Sequence, residues 1–170
     1  MSLVTLGWLF TLGVLAHNTE EALFLPEWSA GAGRWHVAVG KVEFRFAVLM
    51  LSLLLVAAAV AASFSGATSV AAYIFAGYVL AMVANVLAPH VLATLALRRY
   101  MPGTASAVLF NLPLGGMFLY RALSEGYVQP MTFAWAGPLT ALAILASIPV
   151  LFALGRWLRS RLDEHASTEK

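Results

Sequence analysis

Five long apolar stretches follow one another along the chain, and twelve of the 18 charged residues lie outside them, in the connections and in the C-terminal tail. They lie at residues 3–25, 43–63, 70–97, 104–123 and 132–157. Because about 20 apolar residues in a helix cross the hydrocarbon layer of a bilayer, each stretch predicts one membrane span. The pattern predicts an all-α integral membrane protein, with a single transmembrane bundle over residues 1–162 and a polar, disordered tail over residues 163–170.

The basic residues predict the orientation of this bundle. An odd number of spans places the two termini on opposite sides of the membrane, and cytoplasmic segments are the ones enriched in Lys and Arg. With the N-terminus outside, every basic residue except Arg121 falls on the cytoplasmic side: Arg34, Lys41, Arg45, Arg98, Arg99, Arg156, Arg159, Arg161 and Lys170. We therefore expect an outside N-terminus and a cytoplasmic C-terminus, in a bacterial-type inner (plasma) membrane.

The connection between the first and second spans is the longest in the chain. Residues 26–36 contain a proline, two glycines and two tryptophans. Proline and glycine are typical of loops, and tryptophan is enriched where a membrane meets water. This composition predicts an interfacial loop, and its length makes it a candidate lid or re-entrant segment.

Three polar side chains interrupt the apolar spans at a similar depth. His17 lies eight residues before the end of the first span, and His90 lies eight residues before Arg98. Asn111 lies eight residues after Gly103. At 1.5 Å per residue, each is about 12 Å from the cytoplasmic end of its helix. Since polar groups inside a membrane are costly, we expect these three to face a common site.

His17 also begins the densest group of ionisable residues, the pentad His17–Glu21 with the sequence HNTEE. On a helix, Glu20 and Glu21 follow His17 by three and four residues, so all three share one face. Two adjacent carboxylates repel each other when both are ionised, so an apolar setting requires a proton, a cation or a basic partner. The plainer alternative is that Glu20 and Glu21 pair with basic residues at the headgroup boundary.

Prolines mark the other two helices that carry these polar groups. Pro89 precedes His90 and leaves the carbonyl of Asn85 without its helical donor. Pro113 lies two residues after Asn111. Each helix therefore combines a polar side chain with an interrupted hydrogen-bond ladder, which supports Asn85 and Asn111 as parts of the predicted site.

The composition limits the chemistry of such a site. The chain has no cysteine, which excludes thiolate metal sites, iron–sulfur clusters and cysteine nucleophiles. A net charge of +2, with the basic residues at helix ends, gives no indication of nucleic-acid binding. Imidazole and carboxylate ligands suit zinc, iron or manganese. The predicted metal ligands are His17, Glu20, Glu21 and His90, with Glu43 either supporting them or pairing with basic neighbours.

The pentad also carries a family resemblance. His17, Glu20 and Glu21 match the naming motif of the HXXEE-motif family, which consists of small bacterial membrane proteins with several spans. The stretches Asn85…His90 and Tyr100-Met101-Pro102-Gly103 are similar to features of such proteins. The resemblance implies a multi-span membrane protein and adds no activity.

Several functions are compatible with these residues. We favour a metal-dependent enzyme that hydrolyses or oxidises a lipid-like or other apolar substrate, with His17, Glu20, Glu21 and Asn111 as catalytic residues. A metal-free acid–base isomerase, cyclase or hydratase is the nearest alternative. A proton-coupled transporter or a binding protein is another. Axial ligation of haem by two histidines leaves two adjacent glutamates unexplained, so no haem is expected. The expected partners are the bilayer and an apolar small molecule, and the sequence makes no prediction of oligomeric state.

Overall fold

The computed structural model describes residues 1–33 and 38–168, with side chains as far as residue 161. Every regular element in this described part is helical: α1 (Leu3–Ala30), α2 (Lys41–Ser65), α3 (Val70–Asn85), α4 (Leu92–Leu97), α5 (Thr104–Ser106), α6 (Leu112–Ser124) and α7 (Pro130–Thr168). The π-helical segment Val86–Val91 joins α3 to α4, and the π-helical segment Ala107–Asn111 joins α5 to α6. The predicted all-α fold is confirmed.

Four helical stretches are long and apolar enough to cross a membrane: Lys41–Ser65, Val70–Leu97, Thr104–Ser124 and Pro130–Arg161. The remaining long helix, α1, has 28 residues but carries the polar pentad in its second half, and it falls outside this set. Four of the five predicted spans are therefore supported by length and composition, and α1, the fifth long helix, packs mainly against α2 and α6.

The first connection begins later than predicted, because α1 continues through Pro26 to Ala30. A proline inside a helix leaves the carbonyl four residues earlier without its donor. Here that carbonyl belongs to Ala22, and it accepts a hydrogen bond from Nε of Arg45 at 3.0 Å. The replacement donor explains how the helix passes the proline. Residues 34–37 of the predicted loop lie outside the described residues.

The predicted disorder of the tail is wrong for residues 163–168. The backbone of α7 is helical through Thr168, so most of the polar segment continues the last span. Seven of the thirteen residues from 156 to 168 are Arg, Leu, Glu or Ala, which are strong helix formers and need no packing surface to favour a helix. Residues 169 and 170 lie outside the described part.

Both predicted interruptions of the helical ladder are present. In the π-helical segment Val86–Val91, Ala88 has φ −134° and ψ 117°, which are not helical values, and the Ala88–Pro89 peptide is cis. The π-helical segment Ala107–Asn111 ends two residues before Pro113. A π-type turn contains an extra residue, so it changes the direction in which later side chains point.

An aromatic core holds α1, α3 and α6 together at one end of the bundle. Phe10, Phe75 and Phe118 are almost fully buried and meet edge to face, with ring centroids 6.4 Å and 5.1 Å apart. The long helix α7 packs against α2 and α3, where a Cβ on Gly77 would lie 2.5 Å from Thr140. The opposite halves of α1 and of the two broken spans are left to form the polar site.

Candidate metal centre

The second half of α1 presents His17 and Glu21 on one face, one helical turn apart. His17 is fully buried, and the Glu21 side chain is 14% exposed. Nε2 of His17 lies 3.6 Å from Oε2 of Glu21. The predicted juxtaposition of the motif residues at positions i and i+4 is therefore present for this pair.

The break at Ala88 brings His90 to the same place from the third long helix. His90 is fully buried, and its Nε2 lies 3.3 Å from Oε1 of Glu21. Its ring meets the ring of His17 edge to face, with centroids 4.8 Å apart and planes at 82°. Two imidazoles thus approach the two oxygens of one carboxylate, and the predicted meeting of His17 and His90 is present.

Gly103 packs directly on this group. A Cβ at this position would lie 2.8 Å from Cε1 of both histidine rings and 3.0 Å from Cγ of Glu21. The backbone there has φ +91°, which also favours glycine. A residue with any side chain would push the two rings away, so Gly103 is part of the construction of the site.

The carbonyl of Gly103 also determines which nitrogen of His17 carries the proton. Nδ1–H of His17 donates to this carbonyl at 3.0 Å. Because a carbonyl only accepts, Nδ1 must be the protonated nitrogen in the neutral ring. Nε2 then presents a lone pair toward the Glu21 carboxylate, and it has no hydrogen-bond partner among the described residues. A backbone carbonyl on the far nitrogen is the usual support for a metal-binding histidine.

The three side chains have the spacing of a metal site. One ligand atom from each of His17, Glu21 and His90 lies within 4.8 Å of the other two. In a tetrahedral zinc site, with bonds of about 2.0–2.1 Å, neighbouring ligand atoms are about 3.4 Å apart. Nε2 of His17 and Nε2 of His90 lie 3.6 Å and 3.3 Å from different oxygens of Glu21, and these separations are close to this value. This trio can hold a divalent cation.

Glu20, predicted as a fourth ligand, points to a different set of partners. Its Oε1 accepts a hydrogen bond from the hydroxyl of Tyr100 at 2.5 Å. Its Oε2 accepts one from Oγ of Ser106 at 2.6 Å. Burial and the hydrogen bond to Glu20 raise the pKa of Tyr100, so its hydroxyl stays a donor. Both oxygens of Glu20 are thereby occupied outside the trio.

The two middle residues of the motif also serve other contacts. Nδ2 of Asn18 donates to Oγ of Ser52 on α2 at 2.9 Å. The hydroxyl of Thr19 donates to the carbonyl of Leu15 on its own helix at 2.7 Å. Neither side chain belongs to the trio, which agrees with a motif that specifies only the histidine and the two glutamates.

Asn111 lies one turn away from the predicted level. It is fully buried, and neither polar atom of its amide has a hydrogen-bond partner among the described residues. It faces α1 at Gly13, where a Cβ would lie 3.7 Å from its Oδ1. Gly13 precedes His17 by four residues, which is about 6 Å along the helix. Asn111 is therefore near the trio without being a member of it.

The two supporting residues are placed differently from each other. Glu43 is buried at the start of α2 and faces α7, where its Oε1 lies 3.4 Å from Nη1 of Arg159. Its packing neighbour is Gly155, whose Cβ position is 2.9 Å from Cα of Glu43. Asn85 is half-buried at the end of α3. Neither residue belongs to the group that can hold a metal.

Three residues of the site, Tyr100, Gly103 and Ser106, were not among the predicted site residues. Their positions in the sequence match no catalytic motif. Tyr100 and Gly103 lie on the connection between α4 and α5, and Ser106 lies on the short helix α5. The one available signal was the stretch Tyr100–Gly103, which resembles a family feature. Only the approach of this connection to α1 reveals their contacts.

Comparison with known proteins shows which sequence family the chain matches. Residues 8–118 match the sequence profile of a family described as "Protein of unknown function with HXXEE motif". The chain is 30% identical over 146 residues to "Uncharacterized protein YrkK" of Bacillus subtilis (strain 168), which covers 86% of this chain and 92% of the relative. No solved structure matches the chain. The matched region contains every residue of the trio and its surroundings.

Proposed function

Because this chain belongs to the HXXEE-motif family, whose function is unknown, we propose a function from the site itself. The protein is an integral membrane enzyme that uses a divalent cation, zinc, iron or manganese, bound by His17, Glu21 and His90. Its substrate is lipid-like or otherwise apolar. Membrane helices of the required length and a His/Glu cluster of the required spacing support this proposal.

One observation carries the proposal: a lone pair of His17 faces a carboxylate. The hydrogen bond from Nδ1–H to Gly103 leaves Nε2 of His17 as an acceptor, 3.6 Å from Oε2 of Glu21. Two acceptors at that distance in a buried site repel each other unless positive charge lies between them. A divalent cation supplies that charge and binds both groups, together with the imidazole of His90.

A cation held by three protein ligands keeps a position open for chemistry. When bound, it would activate a water molecule for hydrolysis or dioxygen for oxidation. Glu21 and the two histidines hold it, and Glu20 lies on the adjacent position of the same helix. Asn111 faces α1 at Gly13, one helical turn from His17, and its amide has no hydrogen-bond partner among the described residues. In this proposal the amide binds a polar group of the substrate.

A metal-free acid–base enzyme is the second candidate, since a proton between His17 and Glu21 removes the same repulsion. A protonated group in an apolar site can donate to an alkene or epoxide, which gives isomerisation, cyclisation or hydration. Neither version includes Glu43, whose contacts are with Arg159 and Gly155 of α7.

The location and orientation follow from the distribution of charge. Basic residues at the ends of the helices favour a cytoplasmic C-terminus and an outside N-terminus in a bacterial-type inner membrane. In that orientation the trio lies in the cytoplasmic half of the bundle. An apolar substrate then reaches it from the bilayer or from the cytoplasmic surface.

Metal analysis of the purified protein tests the proposal. We expect stoichiometric zinc, iron or manganese in the wild-type protein and its loss in both His17→Ala and His90→Ala. Glu27→Gln is the matched control, because Glu27 lies on the same helix but is exposed and pairs with Lys41. A folded wild-type protein that binds none of these metals would contradict the metal centre and leave acid–base chemistry as the better explanation.

Activity is then sought with a defined mixture. Metal-loaded wild-type protein and His17→Ala are incubated with lipids extracted from bacterial membranes, and the products are compared by mass spectrometry. A product formed by the wild-type protein alone identifies the substrate class. A transport function predicts no product, and it predicts flux across liposomes that depends on His17.

A further inference from the structure

Both carboxylate oxygens of Glu20 bind the same short segment of the chain. We define the cover segment as residues Tyr100–Ser106, which includes the end of the connection after α4 and all of α5. Tyr100 donates to one oxygen of Glu20 at 2.5 Å, and Ser106 donates to the other at 2.6 Å. Hydrogen bonds to an ionised carboxylate are among the strongest in proteins. Glu20 thus ties both ends of the cover segment to α1.

Gly103 lies between these two attachment points, over the trio. Its Cα and carbonyl pack on the imidazoles of His17 and His90, and its carbonyl accepts the Nδ1–H of His17. The cover segment is also attached to α4, because the backbone N–H of Met101 donates to Oγ1 of Thr94 at 3.1 Å. Thr104 adds two further attachments outside α1, because its hydroxyl lies 2.9 Å from that of Thr94 and donates to the carbonyl of His90 at 3.4 Å. The contacts with α1 are the ones made by motif residues.

Ser106 connects Glu20 to the protonated side of His17. Its Oγ lies 2.6 Å from Oε2 of Glu20, 3.1 Å from the Gly103 carbonyl and 3.3 Å from Nδ1 of His17. A hydroxyl has one proton, and the shortest of these contacts, to a carboxylate, takes it. The lone pairs of Oγ are then free to accept from Nδ1–H of His17. Glu20 thereby orients Ser106, and Ser106 helps Gly103 to orient His17.

We propose that the two glutamates of the motif have different tasks: Glu21 binds the cation, whereas Glu20 is a positioning residue that fastens the cover segment over the trio. This division rests on the metal centre proposed above. It explains why the motif needs two adjacent carboxylates: side chains at consecutive helical positions point about 100° apart. One of them reaches the histidines, and the other reaches Tyr100 and Ser106.

The first experiment compares bound metal and its rate of release. Wild-type protein, Glu20→Gln, Glu21→Gln and Tyr100→Phe are loaded with cobalt(II), and the stoichiometry, the visible spectrum and the release to EDTA are measured. We expect Glu21→Gln to lose the bound cobalt. We expect Glu20→Gln to keep the stoichiometry and the spectrum but to release cobalt at least about tenfold faster, since a charge-assisted contact is lost.

The smaller change and the control sharpen this comparison. Tyr100→Phe removes one of the two contacts of Glu20, so its release rate should rise less than that of Glu20→Gln. Glu27→Gln, an exposed glutamate on the same helix, should release cobalt at the wild-type rate. Loss of cobalt from Glu20→Gln as complete as from Glu21→Gln would make Glu20 a ligand and overturn the proposal. An unchanged release rate in Glu20→Gln would also overturn it.

A second measurement needs no metal, so it separates this proposal from the metal centre. The chain has four histidines, and replacing His36 and His165 with Gln leaves only those of the trio. In this background and without metal, diethyl pyrocarbonate modifies His17 and His90 at a rate set by their exposure. Glu20→Gln and Tyr100→Phe should raise that rate, and Glu27→Gln should not. If the wild-type protein binds no metal, this rate still tests the cover segment, and an unchanged rate in Glu20→Gln contradicts it.

Discussion

The same three long helical stretches, which contain α1, α3 and α6, form two very different regions at opposite ends of the bundle. At one end, Phe10, Phe75 and Phe118 form an aromatic core on regular α-helices. At the other end, the spans of α3 and α6 are each interrupted by a π-helical segment, and the groups brought together are the buried His17 and His90 and the partly buried Glu21. The first region is held together by the packing of apolar rings. In the second region, polar side chains must point toward one another.

The difference reflects what each kind of group requires inside a membrane. Apolar rings need only dense contacts, which regular helices with small residues at the crossings provide. Polar groups also need their donors and acceptors matched in direction, because no water is present to satisfy them. The irregular backbone at Ala88 and the positive φ of Gly103 supply directions that a regular helix does not have. The two regions should therefore respond differently to substitution.

Phe118→Ala should produce the largest loss of stability. It removes an almost fully buried ring from the aromatic core, and such truncations cost about 3–5 kcal/mol through lost contacts and the cavity left behind. The trio lies at the other end, so folded Phe118→Ala should bind metal with wild-type stoichiometry. Thermal unfolding in detergent together with metal analysis checks both statements. Loss of metal from protein that remains folded would show that the two regions are coupled.

Gly103→Ala should affect the bound metal, which Phe118→Ala leaves unchanged. Its Cβ would lie 2.8 Å from both imidazoles, in a backbone conformation that costs about 1–2 kcal/mol for an L-residue, with overpacking adding about 1–3 kcal/mol. We expect bound metal to be lost, and we expect the loss of stability, about 2–5 kcal/mol in total, to be comparable with that in Phe118→Ala. Gly116→Ala is the control, because no atom lies within 4 Å of a Cβ on Gly116. Retention of metal by Gly103→Ala would show that the connection can move aside.

Asn111→Leu should have the smallest effect on stability, and in the opposite direction. Its buried amide has no hydrogen-bond partner among the described residues, and such groups cost about 1–3 kcal/mol. Replacement by a leucine, which has the same branching without polar atoms, should raise the melting temperature and leave bound metal unchanged. Once a substrate is identified, the same variant should show a lower kcat/KM. A fall in the melting temperature would instead assign the amide a structural partner.

Much of the fold is predictable because hydropathy and helical geometry act locally. The apolar stretches correspond closely to the helical stretches Val70–Leu97 and Thr104–Ser124. The pairing of His17 with Glu21 follows from a spacing of four residues on one helix, which needs no information about neighbours. The break before His90 follows from the chemistry of proline. Each of these predictions depends on residues within one or two turns of each other.

The errors concern how one helix is rotated and placed against another. Depth along a helix predicted that Asn111 lies level with His17, whereas it faces Gly13, one turn away. For Glu43 the sequence left two roles open, a place in the cluster or a basic partner, and the structure gives it Arg159 of α7 as a basic partner. The continuation of α1 through Pro26 depends on a donor from another helix, which no local pattern reveals.

The HXXEE pentad therefore illustrates both kinds of information. Its sequence places a histidine and two carboxylates close together on the second half of α1, because a helix repeats every 3.6 residues. It does not distinguish Glu20 from Glu21, since adjacent positions carry identical side chains. That distinction comes from the tertiary structure, in which His90 approaches one glutamate while Tyr100 and Ser106 approach the other. The physical reason is that a side chain takes its role from the partners packed against it, and those partners come from distant parts of the chain.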